Sequence, residues 1–304
     1  MTLRPAGQAR AAPLASSSRP PRVYAGYVVD LDGTVYLGEE ALPGAVGALA
    51  GIRAAGAPVV FLTNNPLRSA ASYAQRLRDL GVRADEREIV TPLAVLTGYL
   101  LRRHPGAAVL TVAEPLVDQS LRAAGITVTA EPSEAGVVVV SFDRTFDYAK
   151  LLRAFRAVRL HHAAIVATNP DPFCPTPDGG LPDCAAMLAA LEACTGARAE
   201  AVLGKPSPQM AAEVRARLGV PAAEAAMVGD RILTDVAMSR ALGMTSILVL
   251  SGATTAGDLA GSAFQPDYVI ESLAGLLPGE GSAGRASGGR APGPAQPAIP
   301  REPQ

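Results

Sequence analysis

From residue 24 the chain alternates short apolar runs, polar turns and amphipathic stretches, the order that builds a parallel sheet covered by helices. Residues 27–30 read as a buried strand. After a polar loop, a helix from about Pro43 sets Val46, Leu49 and Ile52 on one face and stops at Gly56. Residues 59–63 form the next strand. Asn65 is placed to cap the helix that follows, with Pro66 in its first turn, Ala70, Ala74 and Leu77 as the apolar stripe and Gly81 as the stop. The same grammar returns near the other end of the chain. A strand at 201–203 leads to Gly204-Lys205-Pro206, and Ser207-Pro208 opens a helix that carries Met210, Val214 and Leu218 and closes at Gly219. A strand at 225–228 runs into Gly229-Asp230, a short helix covers about 234–242, and strands at 245–250 and 268–270 complete the set.

The fold class is therefore α/β, with a Rossmann-like, doubly wound parallel sheet at its core. The segment 84–199 has strands of its own at 108–112, 137–141 and 163–168, and is long enough to be a domain. The expected architecture is a discontinuous core, 22–83 plus 200–277, with an α/β cap at 84–199 inserted into it. Residues 1–21 are rich in Ala, Pro, Ser and Arg, and residues 278–304 in Gly, Pro, Ala, Ser and Arg, so disordered tails are expected at both ends. The first stretch has a transit-peptide flavour but lacks the apolar run of a secretory signal.

Composition narrows the function. With 49% hydrophobic and 18% charged residues, the 304-residue chain can bury a large core. A net charge of −1 and no long basic run leave no electrostatic footprint for nucleic acid or anionic lipid. The longest apolar runs, such as 137–140 and 247–250, fall far short of the roughly 20 residues that span a bilayer. Three cysteines without CxxC spacing indicate neither a disulfide framework nor a zinc site, which fits a reducing cytoplasm. Only Lys150 and Lys205 are lysines, so Lys205 inside Gly-Lys-Pro stands out, although a surface lysine is the plain alternative.

The polar residues of interest all follow expected core strands, and in open α/β sheets ligands bind beyond the carboxyl ends of the strands. Asp30 and Asp32 follow the first, Thr63 and Asn64 the second, Lys205 the third, and Asp230 with Asp235 the fourth. Four carboxylates at one sheet edge raise one another's pKa unless a cation compensates them. Lys205 and a divalent cation are the available compensators, and hard oxygen ligands point to Mg²⁺. Such a cluster suits phosphoryl transfer, in which positioning and charge neutralisation do most of the catalysis.

Asp30-Leu31-Asp32-Gly33-Thr34, Thr63-Asn64-Asn65, Gly204-Lys205-Pro206 and Gly229-Asp230-Arg231-Ile232-Leu233-Thr234-Asp235 resemble the four ordered motifs of the haloacid dehalogenase (HAD) superfamily. The Thr-Asn-Asn and Gly-Lys-Pro forms and the long insertion are similar to its subfamily IIA, the NagD-like or para-nitrophenylphosphatase-like phosphatases. The resemblance implies a phosphomonoesterase for a small phosphorylated metabolite, with Asp30 as the nucleophile and a metal ligand. It implies that Asp32 is the general acid and base, its backbone carbonyl also on Mg²⁺. Thr63, Asn64 and Asn65 would hold the phosphoryl group, and Lys205 would offset charge on Asp30 and phosphate. Asp230 would bind the metal directly and Asp235 would act behind it. A homodimer through the cap is implied in the same way. Each residue has a plainer reading: Asp32-Gly33 is a common turn, Asn64 or Asn65 a helix cap, and Asp235 a helix-start residue.

In the cap, Asn169 and Asp171 of Asn-Pro-Asp either contact substrate hydroxyls or mark a turn. The run 181–187 departs from the glycine-rich Pro-Gly-x-Gly-Ala sequence usual in the branch. His161 and His162 read as a solvated pair, Cys184 and Cys194 as small core hydrophobes, and Arg144 as a surface residue. Two other functions compete: a non-catalytic phosphometabolite-binding protein, and a phosphotransferase or phosphomutase on the same core. The mutases of the superfamily carry a helical cap directly after the first motif, for which residues 35–45 leave no room.

Overall fold

The computed structural model describes residues 20–174, 176, 179–259 and 261–276. Apart from residues 20 and 21, the tails expected at 1–21 and 278–304 lie outside them. The chain opens with β1 (Gly26–Asp30), a small hairpin of β2 (Tyr36–Leu37) and β3 (Glu40–Ala41), α1 (Ala45–Ala54), β4 (Val59–Leu62), α2 (Ala70–Asp79) and β5 (Ile89–Val90). Then α3 (Pro92–Arg103) crosses into the inserted unit, which contains β6 (Ala108–Val112), α4 (Pro115–Ala123), β7 (Ala135–Val140), α5 (Tyr148–His161) and β8 (Ala164–Ala167). That unit ends with the hairpin β9 (Phe173–Cys174) and β10 (Leu181–Pro182), α6 (Cys184–Thr195) and β11 (Ala201–Val202). The return to the core supplies α7 (Pro208–Leu218), β12 (Ala225–Gly229), a π-helical turn (Ile232–Val236), α8 (Ala237–Leu242), β13 (Thr245–Val249), α9 (Ala256–Leu259) and β14 (Tyr268–Ile270).

The core sheet has the order β14-β13-β12-β1-β4-β5 and every pairing in it is parallel. Both faces are covered, so all five residues of β1 are buried. Its side chains alternate: Val28 joins one apolar cluster with Val60 and α7, and Tyr27 and Val29 join another with Phe61 and α1. Each such buried Val or Phe contributes about 1.5–3 kcal/mol. The inserted unit has its own parallel sheet, β11-β8-β7-β6. Its Val137 and Val139 share a cluster with Leu96 and Leu100 of α3 and with Met210 and Val214 of α7, so apolar packing is continuous from core to insertion.

Two short strands pair elsewhere than the expected divisions at 83/84 and 199/200 would have it. Ile89–Val90 lies inside the segment assigned to the cap, yet it extends the core sheet beside β4. Ala201–Val202, expected as the third core strand, instead adds to the inserted sheet. Glu200 N donates to Ile165 O at 2.7 Å and Leu203 N to Ala167 O at 2.9 Å. Two-residue strands have too little pattern to announce a partner.

Helix starts follow capping chemistry. Ser207 caps α7, accepting from Met210 N at 3.1 Å, with Pro208 in the first turn as expected. The helix after β4 starts later than expected: Ser69 caps it, and Asn65 makes a local turn by accepting from Leu67 N at 3.0 Å. In the insertion, His161 ends α5 and His162 follows it in the left-handed conformation. Cys184 is buried as expected, whereas Cys194 is exposed because it falls on the outer face of α6. Arg144 pairs at the surface with Glu114 at 2.8 Å.

Candidate active site

The chain leaves β1 towards β4 on one side and returns on the other through β12, so the strand order reverses at β1. A crevice opens at such a switch point, outside the carboxyl ends of the strands. Asp30 is the last residue of β1, and Asp230 comes directly after β12. Beyond Asp30 the chain folds back sharply: Val35 N donates to Leu31 O at 2.8 Å and Gly33 N to Tyr36 O at 2.8 Å, which puts Asp32 in the turn. Gly33 has φ +82°, and a Cβ there would lie 2.5 Å from Asp230 Oδ2, so the turn needs glycine on both counts.

Lys205 reaches the same crevice from the end of β11, in the inserted sheet. Its ammonium donates to Asp30 Oδ1 and, at 2.7 Å, to Asp235 Oδ1. Asp235 Oδ2 accepts from Arg231 N at 3.0 Å, and Asp230 Oδ2 accepts from Ala253 N at 2.6 Å. Carboxylate oxygens of Asp30, Asp230 and Asp235 lie within 4.8 Å of one another, all buried. Burial, offset only in part by Lys205 and reinforced by the charges of Asp235 and Asp230, holds Asp30 well above the usual carboxyl range. Burial and Asp235 push Asp230 up to about 7, and burial also raises Asp32. Burial opposes the charge on Lys205, yet Asp235 and Asp30 outweigh it and keep the ammonium charged.

These residues fit a divalent cation. The donors are all hard oxygens, and Asp230 Oδ1 and Asp32 Oδ2 are buried with no hydrogen-bond partner among the described residues.

The residues expected at the phosphoryl group are here too. Thr63, Asn64 and Asn65 follow β4 and line one cavity with Asp30, Asp32 and Lys205. Thr63 Oγ1 accepts from Asn65 N at 3.0 Å. The Asn64 side chain engages the Lys205 peptide, accepting from Lys205 N at 2.7 Å and donating to Lys205 O at 3.5 Å. Asn65 Nδ2 faces Cys174 Sγ at 3.7 Å.

The four motifs thus meet around one cavity. The sugar phosphatase AraL of Bacillus subtilis is 36% identical over 249 residues, covering 82% of this chain and 90% of AraL. The chain belongs to the HAD-like hydrolases. The family model for haloacid dehalogenase-like hydrolases matches residues 27–127, and the HAD-hydrolase-like model matches 202–276. NagD of Escherichia coli K-12 superposes with a TM-score of 0.73 at 30% identity, over 83% of this chain and 98% of that one. A glycerol phosphate phosphatase of Mycobacterium tuberculosis, solved in complex with magnesium, gives 0.75 at 33% identity, over 83% and 77%. Within the HAD hydrolases the chain is a phosphatase of the NagD-like subfamily IIA. Among its described residues no helix is long and apolar enough to cross a membrane.

The phosphatase cavity also takes residues to which sequence reasoning gave no role: Asp183, Phe173, Cys174 and Arg231. Asn169, from the loop after β8, donates to Asn64 O at 3.0 Å and to Asp183 Oδ1 at 3.3 Å, and accepts from Asp171 N at 2.9 Å. Arg231 Nη1 lies 3.7 Å from Asp171 Oδ1, and Nη2 donates to Phe173 O at 2.9 Å. Arg231 had a sequence signal, since it sits next to Asp230 inside a recognised motif. Asp183 showed only as one residue of the 181–187 run that departs from the glycine-rich sequence of the branch, and the hairpin that carries Phe173 and Cys174 gave no signal.

Proposed function

We propose that this phosphatase is a Mg²⁺-dependent phosphomonoester hydrolase for a small sugar or polyol phosphate, working through an aspartyl-phosphate on Asp30. One observation carries the reading: three buried carboxylates converge within 4.8 Å, and the ammonium of Lys205 bonds to two of them. Asp30, Asp230 and the backbone carbonyl of Asp32 would hold the metal, with Asp235 behind them. When bound, Mg²⁺ supplies positive charge against the carboxylates and the phosphoryl oxygens.

A carboxylate oxygen of Asp30 attacks phosphorus, and the bond from phosphorus to the ester oxygen breaks. Asp32 gives that oxygen its proton, and the alcohol leaves. Burial raises the Asp32 carboxyl, which favours its carrying the proton beforehand. The Asp32 carboxylate then takes a proton from water, the water oxygen attacks phosphorus, and phosphate departs with the Asp30 carboxylate restored. Lys205 favours the ionised form of Asp30 against the burial that raises it, and offsets charge on the phosphoryl group. Thr63 and Asn65 line the cavity where its oxygens would lie, and Asn64 sets the Lys205 peptide. The likeness to a sugar phosphatase and a glycerol phosphate phosphatase supports a polyol ester as substrate.

The test is phosphate release from para-nitrophenyl phosphate with and without Mg²⁺, alongside an Asp30→Asn variant. Release that EDTA abolishes and the variant lacks is the expected result. Undiminished release by the variant would remove Asp30 as nucleophile.

A further inference from the structure

The inserted unit contributes two carboxylates, Asp171 and Asp183, to the cavity that contains Asp30. Their situations differ. Asp171 is matched by a guanidinium, with Arg231 Nη1 at 3.7 Å. Among the described residues no cation stands at ion-pair distance from Asp183. Asp183 is 3% exposed, and its Oδ1 is fixed by two donors, Cys184 N at 2.5 Å and Asn169 Nδ2 at 3.3 Å. It caps α6, so the backbone as well as the side chain is held in place. Asn169 in turn donates to Asn64 O, which ties this carboxylate to the residue that grips the Lys205 peptide.

A buried carboxylate without a cation discriminates strongly between ligands. It accepts a hydrogen bond from a hydroxyl, and a like charge brought against it costs several kcal/mol. We infer that Asp183 is a specificity-determining residue: it accepts a hydrogen bond from a hydroxyl of the leaving alcohol, so the enzyme takes phosphate esters of polyols or sugars and rejects those whose alcohol carries a carboxylate. The inference rests on the phosphatase reading above and adds the chemistry of the leaving group. Burial, with the charge of Asp171 adding to it and Arg231 offsetting it only in part from beyond ion-pair distance, pushes Asp183 up to about 7.

Glycerol 3-phosphate and 3-phosphoglycerate test it, since they are close in size and differ by a carboxylate in place of a hydroxymethyl group. The substitution Asp183→Asn keeps the size and the helix cap while removing the charge. The unmodified enzyme should favour glycerol 3-phosphate by ~100-fold in kcat/KM. In the variant, kcat/KM should fall ~10-fold for glycerol 3-phosphate and rise for 3-phosphoglycerate. Misfolding cannot move the two esters in opposite directions. Calorimetric titration of both esters into Asp30→Asn, with and without Asp183→Asn, reads the same preference as affinity. An unchanged ratio, or a parallel fall for both esters, overturns the role of Asp183. Absent hydrolysis with the affinity preference intact tells instead against the phosphatase reading and upholds that role.

Discussion

The backbone N–H of Lys205 donates to the side-chain Oδ1 of Asn64 at 2.7 Å, across 141 residues of chain. Lys205 follows a strand of the inserted sheet and Asn64 follows a strand of the core, so this bond fixes the ammonium of one unit over the carboxylates of the other. Replacing Asn64 by Ala leaves a buried N–H unpaired, at a cost of about 1–3 kcal/mol. Urea unfolding should show that loss, and kcat for para-nitrophenyl phosphate should fall ~10-fold or more as Lys205 loses its register. A change confined to KM would instead assign the Asn64 side chain to ground-state phosphate binding.

Lys205 bonds to both Asp30 and Asp235, and both carboxylates are buried. Removing one partner of a buried ion pair leaves an uncompensated charge and costs about 3–5 kcal/mol. Lys205→Met should therefore destabilise the metal-free protein by that order. Because Lys205→Met already costs Asp235 its cation, Asp235→Asn added to it should relieve part of the loss. A double-mutant cycle in EDTA measures the coupling, and strict additivity would mean that the ammonium does not compensate Asp235.

How much of this was legible in the sequence depends on whether a feature is local. The strand β1 and the helix α7 could be read from a run of Tyr and Val and from Ser207-Pro208, because burial pattern and capping act within a few residues. All four motifs could be placed for the same reason. What the local pattern does not contain is the partner of a two-residue strand, and so β5 is not announced as a strand within the segment given to the cap, while β11, expected in the core sheet, pairs in the inserted one. Asn65 was expected as a helix cap because it precedes a proline, yet Ser69 takes that place once the chain has made its turn. The arrival of Asp183 beside the core residues depends on the hairpin β9–β10 folding back, with Asp183 N donating to Pro172 O at 3.0 Å, and nothing in the sequence around Asp183 specifies that contact.

The carboxyl of Asp183 gives a pH signature of its own. Burial raises it from 3.8 to about 7 in the folded protein. A group raised on folding stabilises the fold while protonated, so its contribution is fully present below about pH 4 and is lost as the pH rises through 7. Asp183→Asn removes that loss. The variant should match the unmodified protein near pH 4 and exceed it at pH 8 by on the order of 3 kcal/mol. Denaturant unfolding across this range decides the matter, and a stability difference independent of pH would mean that the carboxyl is not raised.

Arg231 links the acidic cluster to the loop of the inserted unit. Its backbone N–H holds Asp235 at 3.0 Å, while its guanidinium donates to Phe173 O at 2.9 Å, faces Asp171 at 3.7 Å and lies 5.2 Å from the centre of the Phe173 ring. A residue of the core therefore fastens the loop of the inserted unit that covers the cavity. Lys would keep the charge but not the planar fork that serves Phe173 and Asp171 together. Arg231→Lys and Arg231→Met should both raise KM for para-nitrophenyl phosphate ~10-fold, since that loop lines the cavity, with a smaller effect on kcat. The backbone bond to Asp235 needs no side chain, so the acidic cluster should survive both changes. Chymotrypsin cleavage after Phe173 should quicken in the same variants. If KM and the cleavage rate both stay at their original values, the guanidinium is not what holds the loop in place.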